Sequence, residues 1–569
     1  MLYLLLLYAF TTALCLWGGL IFYSIFHFVN KTASDRSFQH PLFCYLLSGL
    51  ILVTTLGQWI VLFFPLNFSS LTGFVIPLFT ILSIALRKPL AAGFKKVLTG
   101  TRLPAFFLPC FILFLLMILT LNAGPTIMDD TDSYHIQMVK WAQEYGTVPG
   151  IANLHFRYGY NSSWFLSIAL LLPEIKGLND YMVLNGLISC WLCYYLLFKI
   201  FSIFSSRAGE LPANSFYAAA IMLILCLLAW PMIRGNAASA NYDFISTCCL
   251  IALFMETPSS SPSPEWIVWP FYLGTVKLIN AVLLLFCLLW LIRSFSKQTL
   301  LIYIAAASFI LVPFFIRNVL LSGYLLYPWY QPDLFSFDWK VSRSLIIEQL
   351  NYIKYFNRSN GDLSKVIGLP FPQWLPVWHH NLVSYNKIIT DTSIGCWLLV
   401  LARWKKLAVF PVSYRLFTLT LFIMLMAWLM TAPDPRFIYG VLLAGIFLFI
   451  MTLPALSSVL QGRRLITIGL LILSTGIFIY TARKISTHPE YRNWIAPLPL
   501  PVPSTQKITI DGIGLQIPDK VPGNWNPRCY DLELPCLYWV NPYLRARGHT
   551  IRDGFRVDKD AMEGENKIQ

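Results

Sequence analysis

The sequence predicts an all-α polytopic membrane protein with about 12 transmembrane helices and a small C-terminal extracytoplasmic α+β or β domain. Three observations support this fold class. Hydrophobic residues make up 57% of the 569 residues and charged residues only 12%, against about 25% charged in an average soluble domain. Apolar runs approach the roughly 20 residues that a helix needs to cross a bilayer. Lysine and arginine concentrate in the short segments between these runs.

The candidate spans follow the apolar runs up to residue 482. The first run is too long for a signal-peptide core and lacks a basic start, so we expect a retained helix. The stretch 265–292 is longer and contains Lys277. Because a lysine at mid-membrane depth must face protein or water, we expect two half-helices or one tilted span there. The other predicted spans are residues 3–27, 43–64, 69–86, 105–122, 181–204, 214–231, 242–256, 299–320, 388–402, 410–431, 437–458 and 464–482.

The distribution of basic residues predicts the orientation of these spans. The formal net charge is +15, and a polyanion-binding surface is one reading of it. We favour cytoplasmic loop charge, because the clusters all fall on one side if 265–292 returns to the side where it starts. The clusters are Lys31 with Arg36; Arg87, Lys88, Lys95, Lys96 and Arg102; Lys199 with Arg207; Arg293 with Lys297; Arg403, Lys405 and Lys406; and Arg463 with Arg464.

The outer side then carries the long loops and the C-terminal tail. We divide the chain into N-terminal transmembrane helices (1–104), a transmembrane core (105–482) with outer loops 122–180 and 322–387, and an extracytoplasmic C-terminal domain (483–569). The protein is expected in the cytoplasmic (inner) membrane as a multi-pass protein with lipid bilayer around it. Nucleic acid is not an expected partner.

Two cysteines differ from the other ten. Cys529 and Cys536 lie in the polar tail and could form a disulfide if that tail is in an oxidising compartment. The other ten lie in or beside hydrophobic runs, where a free thiol behaves as a small apolar side chain.

Three acids follow directly after the fourth span. Asp129, Asp130 and Asp132 would lie at the outer membrane surface, where lipid head groups are found. Aromatic residues recur at helical spacing after them. Residues 132–145 therefore predict an amphipathic helix in the interface, with its aromatic side towards lipid or the helix bundle.

Two interpretations of these acids are open. Asp130 or Thr131 is a natural N-cap for the helix, and Asp132 is favoured in its first turn by the helix dipole. A cap needs only one such residue, and the sequence has two consecutive acids with a third nearby. A carboxylate near cations at the membrane is suited to act as a general base that takes a proton from an attacking hydroxyl.

Basic side chains from later segments recur on the same outer side. Arg234, Lys277, Arg317 and Arg436 stand in four segments, and phosphate is the natural partner of such a set. For each residue alone, snorkelling to the interface or an ion pair with a nearby acid is the alternative. The loop 146–164 is rich in Gly, Asn and aromatic residues, which suits either a polar ligand or an interfacial aromatic belt.

The sequence argues against metal and nucleotide sites elsewhere. His379 and His380 are adjacent, so their side chains point in different directions on most backbones, and no Cys or Glu with ligand spacing accompanies them. The chain contains no GxxxxGK[ST] stretch and no GxGxxG stretch. An ATP-driven pump or a soluble-nucleotide site is therefore not expected.

Four short motifs carry a resemblance to a known family. They are Asp129-Asp130 after a span, Thr275-Val276-Lys277, Ile316-Arg317-Asn318 with Ser322-Gly323-Tyr324 and Tyr327-Pro328, and Pro433-Asp434-Pro435-Arg436-Phe437. Together they resemble the GT-C superfold glycosyltransferases, which take a sugar from a polyprenyl-phosphate donor on the outer side of the membrane. Further short stretches resemble an uncharacterised family of bacterial membrane proteins of this type: Asp130-Thr131, Tyr134-His135, Val148-Pro149-Gly150, Asn153-Leu154-His155 and Asn161-Ser162-Ser163.

The resemblance implies a GT-C-like fold and a role for each motif. Asp130, with Asp129 as the alternative, would be the catalytic base, and the acceptor would be an envelope glycan or a lipid. No nucleotide is needed, because the lipid phosphate is the leaving group, and a divalent cation is left open as a cofactor. The donor phosphate would be held by Lys277, Arg317 and Arg436. The candidate substrate contacts are Asp132, Tyr134, His135, Arg157 and Asp243.

Two rival functions remain. The first is an O-antigen polymerase or ligase that joins lipid-linked oligosaccharides through loop 322–387 with Arg343 and His379. The second is a transporter or flippase of lipid-linked sugars, in which Lys277 and the outer acids line a path. Internal repeats would favour the transporter, and none is visible in the sequence.

Overall fold

A computed structural model describes residues 1–29, 40–100, 102–175, 177–205, 213–227, 230–256, 264–359, 361–454, 463–521, 523 and 527–558. The protein is mostly helical, with a small β region near the C-terminus. The basic residues Lys31, Arg36 and Arg207 lie outside the described residues. The α-helices are α1 (Leu2–Val29), α2 (Leu42–Ile60), α3 (Phe68–Ser70), α4 (Ile76–Ala85), α5 (Arg87–Gly100), α6 (Leu108–Asn122), α7 (Ile136–Glu144), α8 (Ile151–Leu154), α9 (Ser163–Leu171), α10 (Val183–Ser205), α11 (Ala213–Leu227), α12 (Trp230–Ala237), α13 (Asp243–Met255), α14 (Pro264–Val276), α15 (Leu283–Arg293), α16 (Lys297–Ser322), α17 (Arg343–Ser359), α18 (Phe371–Asn381), α19 (Ser384–Ala402), α20 (Val412–Thr431), α21 (Tyr439–Thr452) and α22 (Arg463–Thr487).

Within the described part of the chain, nine helical segments are long and apolar enough to cross a membrane. Their outward surfaces are apolar: Leu301 on α16 and Ile472 on α22 are both about two-thirds exposed. Exposed apolar surface on this scale is unfavourable in water. The segments therefore indicate a multi-pass membrane protein. They are Leu2–Val29, Leu42–Ile60, Phe68–Ala85, Ala105–Asn122, Val183–Phe201, Lys297–Ser322, Val412–Thr431, Pro435–Thr452 and Ile468–Thr487.

Three of the predicted spans do not meet this measure. Those at 214–231 and 242–256 correspond to the shorter apolar helices Tyr217–Leu227 and Asp243–Met255. The span predicted at 388–402 belongs to α19, whose first half carries Lys387 and Asp391. The count of about twelve is thus not confirmed by helix length and composition alone.

The stretch 265–292 is broken at Lys277, so its two halves form separate helices. Lys277 has an extended backbone (φ −154°, ψ 136°), and a 3₁₀ turn (Leu278–Val282) leads from it into α15. The Asn280 side chain donates to the Leu273 carbonyl at 3.1 Å and so satisfies a carbonyl exposed by the break. Helices α14 and α15 pack against each other, and Cys287 on α15 lies against the Ile267 carbonyl on α14, so the two helices run antiparallel with Lys277 at the tip of a helical hairpin.

Helices α1 and α2 form a closely packed pair because glycine faces backbone on both of them. A Cβ at Gly49 would overlap the Cys15 carbonyl, and one at Gly19 would overlap the Tyr45 carbonyl. Small residues at such crossings let helix backbones approach closely in membranes. The N-terminal pair also reaches the loops, since the Tyr3 hydroxyl donates to Asp180 at 2.7 Å.

The helix predicted at 132–145 does not face lipid: of the two orientations left open for its aromatic side, the structure shows the one towards the helix bundle. It begins as a π-helical turn (Thr131–His135), continues as α7, and is buried on all sides from Thr131 to Gln143. One side packs against α9. The polar side is covered by the tail, because Gln137 and Lys140 donate to backbone carbonyls of residues 530–532.

The C-terminal tail contains two small antiparallel sheets. The first is a hairpin of β1 (Thr505–Ile510) and β2 (Ile513–Pro518), and the second pairs β3 (Leu544–Ala546) with β4 (Phe555–Val557). The tail lies on loop 122–180, where the Phe555 amide donates to the Pro149 carbonyl at 3.1 Å. Gly150 fits beneath this contact at φ +67°, where a Cβ would overlap the Phe555 carbonyl. We call the side of the bundle that carries loop 122–180 and the tail the loop face.

Candidate active site

The acid motif, Asp129, Asp130 and Asp132, begins the π-helical turn on the loop face. The Asp130 side chain makes no capping bond to this turn, and the Thr131 hydroxyl instead accepts from the Ala240 amide at 3.1 Å. The capping interpretation therefore does not hold for these two residues. A π-helical turn at this position is typical of functional sites, because the wider turn redirects the side chains.

Asp130 lies between two guanidinium groups. One carboxylate oxygen accepts from Arg157 at 3.1 Å and the other from Arg436 at 3.2 Å. Burial alone would raise the pKa of Asp130, but the two arginines outweigh it and lower the pKa to about 2. In this arrangement Asp130 is a firmly ionised carboxylate and a poor proton acceptor.

Arg436 is held in place by the residue two positions before it. The Asp434 carboxylate accepts from the Arg436 amide at 3.0 Å and pairs with its guanidinium at 2.9 Å. The intervening proline starts the short 3₁₀ turn Pro435–Ile438 that leads into α21. The Asp-Pro-Arg sequence thus positions the guanidinium between Asp434 and Asp130.

The other two acids bind an arginine from the tail. Arg528 Nε donates to Asp129 at 2.9 Å, and its Nη1 donates to Asp132 at 3.3 Å. Asp132 is almost fully buried and also accepts from the Thr126 hydroxyl at 2.5 and 2.7 Å. Burial raises the pKa of Asp132 to about 6 even though Thr126 and Arg528 oppose the shift. Sequence reasoning missed Arg528, because no motif or spacing marks it.

Lys277 reaches the same region from the tip of the α14–α15 hairpin. Its ammonium group lies 2.6 Å from the Asp243 carboxylate and 3.0 Å from the centre of the Phe437 ring. The Arg436 guanidinium lies 5.3 Å from the centre of the same ring, so the two cations share one aromatic partner. The Asp243 carboxylate is nearly buried, which makes this pair a fixed part of the site.

A cavity of about 230 Å³ opens beside these pairs. Arg436, Asp243 and Asp434 line it, and amide groups line it as well. Amides and carboxylates can each bind hydroxyl groups, while the guanidinium can bind an anion. The amide and aromatic lining residues are Asn236, Asn241, Asn386, Phe244 and Tyr439.

Of the candidate residues predicted from the sequence, only Arg436 and Asp243 line this cavity. Asp130 and Lys277 reach it only through these two, with which they form ion pairs. Arg317 is buried and donates to Asn161, and it is not a lining residue. Tyr134 lies under the Arg157 guanidinium, 5.0 Å from ring centre to carbon. His135 is buried between aromatic rings, and burial lowers its pKa to about 3, so it is a neutral core residue.

The residues named for the polymerase or ligase function lie elsewhere on the loop face. Arg343 is exposed and stacks 4.8 Å from the Tyr330 ring centre. His379 pairs with Asp391 at 2.9 Å and is also exposed. Neither lines the cavity.

In the tail, Cys529 and Cys536 form a disulfide.

The acidic residues of the site do not suit a divalent cation. Among the described residues, no group of three or more His, Cys, Asp and Glu side chains is placed to hold a metal ion. At the site itself, Asp129, Asp130, Asp132, Asp243 and Asp434 each contact a guanidinium or ammonium group. A metal ion would have to displace these cations from its oxygen ligands.

The chain belongs to the DUF8201 family, described as a domain of unknown function, which it matches over residues 1–443. The matched region contains the acid motif, Lys277 and Arg436. Arg528 and the disulfide lie beyond it. No curated protein and no solved structure matches the chain.

Proposed function

We propose that the protein is a membrane glycosyltransferase that moves a sugar from a polyprenyl-phosphate donor to an envelope glycan or lipid acceptor. The observation that carries the proposal is the position of Asp130, clamped by Arg157 and Arg436 beside a cavity lined with amides and carboxylates. This combination offers an anion-binding group, hydroxyl-binding groups and a potential base within one site.

The donor phosphate would bind first to Arg436. Its guanidinium is about one-third exposed and lines the cavity, so an incoming phosphate can reach it without unfolding the site. Like a carboxylate, a phosphate group accepts two parallel hydrogen bonds from an arginine. Lys277, next to Phe437, adds positive charge close to the same position. Both cations would stabilise the charge that develops on the phosphate as it leaves.

Phosphate binding also changes Asp130. While both arginines pair with this carboxylate, its low pKa disfavours proton transfer. A phosphate that takes over Arg436 leaves Asp130 with Arg157 alone and introduces a nearby negative charge, and both effects raise its basicity. The carboxylate then accepts the proton of the acceptor hydroxyl. The hydroxyl oxygen bonds to the anomeric carbon, and the bond from that carbon to the phosphate oxygen breaks with its electron pair on the phosphate.

The proposal includes a location and a finer fold. Counting α11, α13 and α19 with the nine longer segments would give the twelve crossings predicted from the sequence, and the GT-C-like arrangement rests on the four motifs. The basic clusters favour the cytoplasm for the face opposite the loops. The site and the tail would then be extracytoplasmic, on the outer side of the cytoplasmic membrane. A disulfide in the tail suits that oxidising side.

Substitution of the acids tests this function. In full-length protein supplied with a polyprenyl-phosphate-linked sugar pool, Asp130→Asn should lower the release of polyprenyl phosphate about 10²- to 10⁴-fold, the usual contribution of a general base. Asp129→Asn should have a smaller effect, because Asp129 contacts Arg528, whereas Asp130 contacts Arg436, which lines the cavity. Arg343→Gln serves as a control, since it removes an exposed arginine of the same face.

The rival polymerase or ligase gives the reverse pattern. There, loss of Arg343 abolishes activity while Asp130→Asn is tolerated. Full activity in Asp129→Asn and Asp130→Asn proteins that are expressed at normal levels would rule out the transferase mechanism.

A further inference from the structure

The tail segment 527–537 covers the acid motif and is bound to it through both backbone and side chain. The Tyr530 amide donates to the Asp132 carbonyl at 2.8 Å. Arg528, two residues earlier, bridges the carboxylates of Asp129 and Asp132. The disulfide between Cys529 and Cys536 closes a small ring directly after Arg528. The backbone at Arg528 is therefore attached to a constrained segment.

A second set of contacts anchors the same ring to loop 122–180. The Asp531 carboxylate pairs with Lys140 at 3.0 Å and accepts from the Gly177 amide at 2.6 Å and the Tyr181 hydroxyl at 2.9 Å. On the far side of the ring, the Tyr158 hydroxyl donates to the Cys536 carbonyl. The ring is thus held from several directions, and the direction in which Arg528 points follows from this docking.

The charges of the acid motif explain why such an arginine is needed. Three carboxylates lie within four consecutive residues, and two of them would face each other without Arg528. Like charges at this distance repel, and a buried carboxylate without a cation is strongly unfavourable. In the absence of Arg528, Asp129 would lose its guanidinium partner and Asp132 would keep only the Thr126 hydroxyl, so the turn that also carries Asp130 would rearrange. The geometry of the proposed base would then be lost.

We propose that Arg528 is a positioning residue of the acid motif and that the Cys529–Cys536 ring holds it there, so that the tail completes the site. Arg528 neutralises two acids and leaves Asp130 to Arg157 and Arg436. Its link to catalysis rests on the proposed glycosyl transfer, whereas its effect on the structure of residues 126–135 does not.

The structural part is tested by hydrogen exchange on the full-length protein in lipid nanodiscs. Arg528→Gln should speed amide exchange across residues 126–135, because the turn loses its counter-ion. Arg547→Gln is the matched control: Arg547 also lies in the tail and pairs with Asp338 at 2.8 Å, away from the acid motif. Unchanged exchange in Arg528→Gln would overturn the proposal whatever reaction the protein catalyses.

The functional part is tested by sugar transfer. Arg528→Gln should lower kcat by about 10²-fold, the scale of a misplaced catalytic group, with little change in binding of polyprenyl phosphate. Arg528→Lys should recover part of this loss, because an ammonium can neutralise one acid but cannot bridge both. Arg547→Gln should keep full activity. Equal activity in Arg528→Gln and the control would refute a positioning role, whereas full activity of Asp130→Asn would refute the transferase proposal instead.

The role of the ring is tested by a double-mutant comparison. Replacing both cysteines, Cys529→Ser with Cys536→Ser, should reproduce the exchange pattern and the kcat loss of Arg528→Gln. Combining all three changes should add little, because residues that act as one unit are not additive. Full activity of the cysteine variant, or losses that multiply, would show that the ring does not act through Arg528.

Discussion

Replacement of Arg436 by glutamine removes one of the two cations that hold Asp130. Glutamine keeps a hydrogen-bond donor and much of the volume but carries no charge. In the native site, the Arg436 guanidinium binds Asp130 at 3.2 Å and Asp434 at 2.9 Å and faces the cavity. The substitution therefore affects two measurable quantities: the affinity for a phosphate ligand and the pKa of Asp130.

The size of each effect follows from the structure. A charge-assisted hydrogen bond contributes about 1.5–3 kcal/mol, so loss of Arg436 should weaken phosphate binding roughly 10- to 150-fold. The pKa of Asp130 is lowered from 3.8 to about 2 by two arginines, and at 1.36 kcal/mol per unit this corresponds to about 2 kcal/mol of folding free energy. Arg436 is the largest of the causes that lower this pKa. Because the folded-state pKa is depressed, this stabilisation is present above pH 4 and disappears as the pH falls towards 2.

The assay is binding of polyprenyl phosphate to the full-length protein in phosphatidylcholine nanodiscs, with polyprenol as the uncharged competitor. Native protein should prefer the phosphate, and Arg436→Gln should lose that preference. Arg436→Lys should retain part of it, because lysine keeps the charge without the planar fork. Thermal unfolding of Arg436→Gln should occur about 1–2 °C lower at pH 7, with the difference shrinking as the pH falls below 4.

The exposed Arg343 gives the matched comparison. If Arg343→Gln weakens phosphate binding as much as Arg436→Gln does, the effect is one of surface charge, and the cavity is not the phosphate site. Equal binding of polyprenyl phosphate and polyprenol by native protein would refute the reasoning altogether.

Two further predictions concern stability. Gly49→Ala should separate α1 from α2, because its Cβ would overlap the Cys15 carbonyl. It should lower the unfolding temperature of the full-length protein far more than Gly73→Ala, since a Cβ at Gly73 meets no atom within 4 Å. Equal effects of the two substitutions would contradict the close crossing of α1 and α2. Burial raises the pKa of Asp132 to about 6. The folded protein therefore binds a proton at Asp132 more readily than the unfolded chain does, and the contribution of Asp132 to stability should grow as the pH falls from about 6 towards 4. Asp132→Asn should flatten that part of the plot of unfolding temperature against pH, and an unchanged slope would show that Asp132 is not the group that titrates.

The sequence alone was sufficient for those features that depend on local composition. Long apolar runs indicate membrane helices because a bilayer leaves backbone groups no water to bind, and this requirement acts on each segment separately. The unusual acids at Asp129, Asp130 and Asp132 stand out for a similar reason, since charge beside a span is costly unless it has a partner. An irregularity around Lys277 was also readable, because a lysine within an apolar run must reach protein or water. The sequence left open two half-helices or one tilted span, and the structure shows the two half-helices.

The tertiary structure decided which side chains meet. Asp130 pairs with Arg436, which is 306 residues later in the sequence, and Asp129 pairs with Arg528, which is 399 residues later. No periodicity couples residues at such separations, so several cations on one face remained equivalent in the sequence. Packing gives each of them a different environment. Arg436 lines the cavity, Arg317 donates to Asn161, and the exposed Arg343 stacks on the Tyr330 ring. The burial of α7 was likewise hidden, because the tail that covers its polar side lies almost 400 residues later in the chain.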